Sequence, residues 1–220
     1  MMPTFVAVLT LMVPLWALAA WPQLDVPAGA RVASVGEKIR LHGAPMRIQR
    51  VLVAQRPDAV ARHYRAALGP RYATAQLQDR LVLSQGRDDY FITVSIRPLG
   101  PKLTEALVSI ADAREARQAV GRPLGFNLPA ASVVLSDIEA DDAGKRSRQL
   151  VVGNAHAITT NIDVFTRELA ARGMHADGPP LRRSAAEHVQ FYKGEHREAQ
   201  LIVMRRDGQT QTVLTMIETQ

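Results

Sequence analysis

The stretch Pro57–Gly69, PDAVARHYRAALG, decides how the chain is read. Pro57 suits the first turn of a helix, where a backbone N–H has no intrahelical partner and proline's φ is already helical. Asp58 puts negative charge at the positive end of the helix dipole. Val60, Tyr64, Ala67 and Leu68 recur at helical spacing and form one apolar face, with Arg62 and Arg65 on the wet side. Gly69-Pro70 ends the helix, because glycine accepts the left-handed cap and proline cannot continue.

Thr159–Gly173 reads as a counterpart about a hundred residues on. Thr160 and Asp163 have capping-box spacing. Ile162, Phe165 and Leu169 make the apolar face, and Gly173 is the candidate C-cap. Tyr64 then matches Phe165 and Leu68 matches Leu169, and both aromatics read as core residues.

Around each helix the sequence is β-rich. Before the first lie Arg31–Val35, Lys38–Leu41, a turn at Gly43-Ala44-Pro45, and Met46–Ala54. That last strand has one phase slip, of the kind a bulge makes. After the helix come Tyr72–Gln76, Leu81–Ser84, a turn at Gly86–Asp89, the alternating strand Tyr90–Ile96, a break at Pro98–Lys102, and a strand through Ala106, Val108 and Ile110. Ala113–Val120 reads as a short helix and Gly121–Asn127 as a connector.

The pattern then restarts. Leu128-Pro129-Ala130 resembles Val26-Pro27-Ala28. Val134 and Ser136 follow the later motif as Val32 and Ser34 follow the earlier one. Asp137–Arg148 reads as a polar turn region, Gln149–Gly153 as the strand before the helix, and Glu187–Tyr192, Glu198–Met204 and Thr210–Glu218 as the strands after it. The expected fold class is α+β: two tandem β-α-β-β-β units, each an antiparallel sheet covered by one helix. The expected organisation is residues 1–20 as a signal peptide or N-terminal anchor, 21–112 as the first unit, 113–127 as connector, and 128–220 as the second unit. In element order alone, this layout resembles the helix-grip modules of outer-membrane assembly lipoproteins. The chain contains no cysteine, so it lacks the residue that carries their lipid anchor.

The address is read from the first twenty residues, which carry no charged side chain. The apolar run Phe5–Ala19 is shorter than the roughly 20 residues of a membrane-spanning helix. It ends in Ala17-Leu18-Ala19, a small-x-small cleavage signal. No Lys or Arg precedes the run, which leaves an uncleaved anchor as the alternative. The expectation is a bacterial-type exported protein of the periplasm. With no cysteine there are no disulfides or thiolate metal sites, and the exported part must be held by its core. About 200 residues suffice for that.

Formal net charge is +6, and of 27 basic residues 23 are Arg. Arg suits phosphate, carboxylate and acidic protein surfaces. These residues are spread along the chain, as a GC-rich genome would also give. Nucleic acid is disfavoured: aromatics are 5% and no RNP-like or helix-turn-helix pattern occurs.

No Gly-rich phosphate loop or GxSxG elbow is present. His188 with Glu195, His196 and Glu198 is the best local metal-type cluster, but its spacing is not that of a zinc site. Asp88-Asp89 and Asp141-Asp142 fall beside Gly in expected turns, where Asp serves the backbone. Ser34, Ser136 and Ser184 lack a nucleophile context, although a triad can assemble from scattered residues. No catalytic residue, cofactor or metal site is expected. The leading expectation is a non-catalytic envelope protein that binds another protein, as an accessory to a secretion, pilus or envelope-assembly system. A binder of an anionic envelope ligand through Arg, or a hydrolase with a dispersed site, are the alternatives. The mature chain is expected to begin at Ala20 or Trp21. N-terminal sequencing of envelope-fraction protein checks this, and full-length chain extracted only by detergent identifies the anchor instead.

Overall fold

The computed structural model describes residues 21–36 and 38–219. The expected signal segment, 1–20, lies outside the described residues. No described helix is long and apolar enough to cross a membrane.

The chain runs β1 (Arg31–Ser34), β2 (Lys38–Leu41), β3 (Ala44–Val53), α1 (Pro57–Leu68), β4 (Ala73–Leu77), β5 (Arg80–Arg87), β6 (Tyr90–Gly100), β7 (Leu103–Asp112) and α2 (Ala113–Ala119). It continues as β8 (Val133–Asp142), β9 (Lys145–Asn154), α3 (Ile158–Ala170), β10 (His175–Ala176), β11 (Arg182–Arg183), β12 (Glu187–Gly194), β13 (Arg197–Arg206) and β14 (Gln209–Thr219). The class is α+β, with the strands in one sheet. Its order is β10-β12-β13-β14-β9-β8-β2-β3-β7-β6-β5-β4, with β1 on β3 and β11 on β12.

Both main helices form where periodicity puts them. Val60, Tyr64 and Leu68 are buried against Val51, Ile92, Val94 and Val108. Phe165 and Leu169 are buried against Leu150, Leu201 and Leu214. Gly69 donates its N–H to the carbonyls of Arg65 and Ala66 at φ +77°, a conformation glycine adopts without a Cβ penalty. The second helix is entered differently from expectation. It starts at Ile158 with Ala157 as N-cap and no side-chain cap, so Thr160 lies within it. Asn154 and Asn161 do the local work. Asn161 Nδ2 donates to Asn154 Oδ1 and to the Ala157 carbonyl, and the His156 N–H donates to Asn154 Oδ1.

Several expected turns are strand. Asp137–Arg148 belongs to the hairpin of β8 and β9, and its turn is Ala143-Gly144, both at positive φ. Positive φ at both positions matches the twist of paired strands. The first hairpin turns at His42-Gly43, also both at positive φ, and Ala44 and Pro45 are already in β3. Gly86 and Arg87 belong to β5, leaving Asp88-Asp89 as the turn. Pro98 does not break β6, which runs to Gly100 through a register shift, a position where a strand tolerates proline. The phase slip in β3 is no bulge, since Met46–Val53 pairs with β7 in unbroken register. Val51 and Val53 face α1, whereas Met46 and Ile48 sit on the opposite face.

Register carries one face across the middle of the sheet. Pro45 and Val51 share a face of β3, Pro45 opposes Arg40, Arg40 opposes Glu139, and Glu139 opposes Arg148. Arg148 shares its face of β9 with Leu150, which lies beneath α3. Both helices therefore cover the same face.

Tyr64 and Phe165 are each 0 % exposed, but Tyr64 Oη has no hydrogen-bond partner among the described residues. Burial pushes its phenol up to about 12. Leu68→Ala and Leu169→Ala are each expected to cost about 2–5 kcal/mol in urea melts. Tyr64→Phe, which removes only the unpartnered hydroxyl, is expected to hold stability or raise it by about 1 kcal/mol.

Candidate functional site

Three surfaces carry chemistry. The first is a groove of about 560 Å³ on the helix-bearing face, over β2, β8, β9 and β14. Its floor is a row of directly opposed residues of alternating sign: Lys38, Asp141, Arg146, Glu218 and Arg197. A parallel row holds Arg40, Glu139 and Arg148. Opposite charges across strands stabilise pairing by about 0.2–1 kcal/mol each.

Some of these charges are fully committed. Arg148 grips Asp137 through two bonds of 2.8 and 2.9 Å and donates to the Leu124 carbonyl. Arg197 forks onto Glu218 at 3.0 and 2.8 Å. Arg172 lies 3.8 Å from the Phe126 ring centroid and bonds Glu168. Lys38, Arg40 and Arg146 form no ion pair among the described residues; Arg40 donates only to the Gly43 carbonyl. The signal was present in the sequence as Lys38-Ile39-Arg40, Glu139-Ala140-Asp141 and Arg146-Ser147-Arg148. Alternation puts like charges on one face of a strand, but reading Asp137–Arg148 as turn hid it.

The second surface is the β4 end of the sheet. Ala73–Leu77, ATAQL, pairs with β5 on one side and with no strand on the other among the described residues. All five residues are exposed, and none is charged or proline. The opposite end differs: β12 is covered by two-residue strands, β10 and β11.

The third surface is a cavity of about 320 Å³ beside the start of α3, lined in part by Ile158, Thr159, Arg183, Ser184 and His188. His188 is 7 % exposed, and its Nε2 has no partner among the described residues. Burial lowers its pKa, and the Arg183 charge adds to that.

The candidates singled out by sequence do not converge. Glu195-His196 forms the β12–β13 turn, while His188 lies seven residues before Glu195 on β12, roughly 23 Å at strand rise. Glu198 opposes Lys193. Asp141 and Asp142 end β8 on opposite faces, rather than occupying a turn. Asp89 accepts from Arg117 at 3.2 Å, and Asp88 takes the positive-φ place of its turn. Among the described residues no group of three or more His, Asp or Glu is placed to hold a metal. Ser184 Oγ accepts from the N–H groups of Ala186 and Glu187, Ser34 Oγ donates to the Gly36 carbonyl, and no described serine hydroxyl bonds a histidine.

A buried carboxylate that sequence did not single out lies on the helix-free face. Glu105 is 3 % exposed and is clamped by Arg50 Nε at 2.6 Å and Arg97 Nε at 2.5 Å. Burial alone would raise its pKa, but the bonds from Arg97 and Arg50 outweigh that and hold it below the usual carboxylate range. With both oxygens occupied it is built to stay ionised, which suits a structural anchor and not a proton carrier.

Comparison with family models, with curated protein sequences and with solved structures finds no match.

A carboxyl held low in the folded state stabilises the fold above its unfolded pKa, and that stabilisation is lost as pH falls through the folded value. Melting temperature is therefore expected to fall on acidification through the carboxylate range. In Glu105→Gln that fall is expected to be shallower, from a lower starting point at neutral pH; a parallel profile in the variant contradicts the assignment.

Proposed function

We propose that this chain is a non-catalytic protein of the bacterial-type envelope that binds another protein by adding an extended segment of it to β4. The observation that carries the reading is the edge itself: five exposed, uncharged residues whose outer side pairs with no strand among the described residues. Natural sheets usually guard an edge with charge, proline, a bulge or a covering element, and β4 has none of these on its own strand. Strand addition supplies main-chain hydrogen bonds for affinity and leaves Thr74, Gln76 and Leu77 to select the partner. The periplasmic address and the role as accessory to a secretion, pilus or envelope-assembly system belong to the same proposal.

We also infer that the body is two tandem α+β units, residues 21–112 and 128–220 with 113–127 between them, in which the expected β-α-β-β-β order is extended to two path strands before the helix and four after it, each sheet gripping one helix. The strand path β2-β3-β7-β6-β5-β4 has the same form as β8-β9-β14-β13-β12-β10. Repeated devices support it. Gln55 bonds the Ala28 carbonyl and His156 the Ala130 carbonyl. Thr104 Oγ1 donates to the Gln55 carbonyl and Thr210 Oγ1 to the His156 carbonyl. Arg47 sits over Trp21 and Arg148 over Phe126. Arg47 and Arg148 are 101 positions apart, as are Gln55 and His156, and Tyr64 and Phe165.

A second reading is favoured by one observation. The central groove holds Lys38, Arg40 and Arg146 without ion-pair partners among the described residues, as a binder of an anionic envelope ligand would. Salt separates the two, since contacts between exposed charges weaken as ionic strength rises and strand addition depends on it far less.

Mild crosslinking followed by pull-down from envelope extract tests the proposal. Thr74→Lys with Gln76→Lys is expected to abolish the crosslinked species and to leave stability within about 0.5 kcal/mol, as exposed changes do. Undiminished capture by this variant, or capture lost only in high salt, overturns strand addition.

A further inference from the structure

We propose that, when no partner is bound, β4 pairs antiparallel with β4 of a second copy of this chain and makes a closed dimer. The inference rests on the reading of β4 as an edge that accepts a strand, and it names what covers that edge first. The backbone sets the register. Ala73–Leu77 opposes Ser84–Arg80 without a break and ends in the two-residue turn Gln78-Asp79. A two-residue turn closes on a hydrogen-bonded pair, here Leu77 with Arg80. Alternation then commits the backbone groups of Leu77, Ala75 and Ala73 to β5 and turns those of Thr74 and Gln76 outward. Pairing centred on Ala75 sets Thr74 of each copy opposite Gln76 of the other. All the outward N–H and C=O groups of these residues are then matched.

The side chains suit the same register. Thr74 opposes Leu83, which is fully buried under α1. Thr74 and Gln76 therefore lie on the helix-bearing face, and Ala73, Ala75 and Leu77 on the other. A two-fold axis normal to the sheet returns each face to itself. Polar Thr74 meets polar Gln76, and apolar Ala73 meets Leu77, which is 55 % exposed and gains cover. At the axis Ala75 meets Ala75, where a charged residue would face its own like charge. Past the strand, this register brings Arg71 of one copy toward the Gln78-Asp79 turn of the other, once at each end. Arg71 is exposed and forms no ion pair among the described residues, and Asp79 is held only by its neighbour Arg80 at 3.5 Å.

The rest of the sheet decides that such an assembly stops at two. α1 packs on β5, β6 and β7, which leaves the approach to β4 open. At the far end the outer side of β12 is taken by β10 and β11. An edge that joins only to its own copy makes an isologous contact, which closes rather than propagating into a fibre. A five-residue edge buries less than the roughly 1,200–2,000 Å² of a standard stable interface. The dimer is therefore weak and reversible, shields the edge from aggregation, and gives way to a partner strand.

The chain has no cysteine, so one introduced thiol reports the register. Ala75 faces itself at a non-hydrogen-bonded position, where Cα atoms stand about 4.5 Å apart, within disulfide range. Ala73 opposes Leu77 and lies about 14 Å along the strands from its own counterpart. On mild oxidation of the purified protein, Ala75→Cys is expected to form a covalent dimer at least about tenfold faster than Ala73→Cys, because pairing raises the effective thiol concentration. Adding Thr74→Lys with Gln76→Lys sets lysine against lysine and is expected to remove that advantage. Sedimentation of the unsubstituted protein is expected to show a monomer–dimer equilibrium that shifts with concentration. Equal oxidation rates at the two positions, a protein that stays monomeric across the concentration series, or species beyond the dimer overturns the inference and leaves strand addition by a partner as it was. The oxidised Ala75→Cys dimer is expected to lose capture from envelope extract and to regain it on reduction. A locked dimer that still captures overturns strand addition at β4 while the dimer stands.

Discussion

The pairing of β2 with β8 is the constraint on which the arrangement depends. It is short, Lys38–Leu41 against Asp141–Ile138, yet it turns the strands on its two sides into one sheet. Without it β2 and β8 would each present an open edge in the middle of the molecule. Charge fixes its register: Lys38 opposes Asp141 and Arg40 opposes Glu139. Burial fixes it again, because Ile39, 7 % exposed, sits between Ala140 and Met46 on the other face. A slip of one residue would bury the charges and expose the isoleucine. The same seam places both helices on one face and leaves the charged groove over the junction.

Each half solves its buried polar groups differently. In the C-terminal half, Asn161 meets Asn154, Ala157 and Thr212, so its amide is matched although it is fully buried. In the N-terminal half, Thr104 returns to the carbonyl before the helix, but Tyr64 brings in a hydroxyl that finds no partner among the described residues. Glu105 is the opposite case, a buried charge with each oxygen held by an arginine. Such a group is tolerable in a sheet only with partners this close, because an unpaired buried carboxylate would cost several kcal/mol.

The surfaces that bear on function lie where these cores stop. The β4 edge pairs with no further strand among the described residues, and it carries no charge to repel a neighbour. The groove is charged because Lys38, Arg40 and Arg146 stand across the strands from Asp141 and Glu139 without closing an ion pair among the described residues. The cavity at α3 lies beside a helix start that lacks the proline and aspartate found at the start of α1.

Local chemistry decided what could be read from the sequence alone. The two helices were legible, since a 3.6-residue period and a Gly cap are properties of a dozen consecutive residues. So were strands that alternate on one buried face, such as Tyr90–Ile96, and the likeness of Val26-Pro27-Ala28 to Leu128-Pro129-Ala130. Tertiary structure decided what depends on residues distant in sequence. Asp137–Arg148 looks like a polar turn by composition and is strand because β2 and β14 lie beside β8 and β9 and match their charges. Glu105 looks like any exposed strand carboxylate until Arg50 and Arg97 come from strands on either side of β7. His188 was visible as a histidine, but its surroundings were not: Glu195 and His196, near in sequence, lie far along the hairpin, while Arg183 stands opposite it and the start of α3 packs beside it. Sequence proximity reports contacts within one element, and only the pairing of strands determines which side chains share a face.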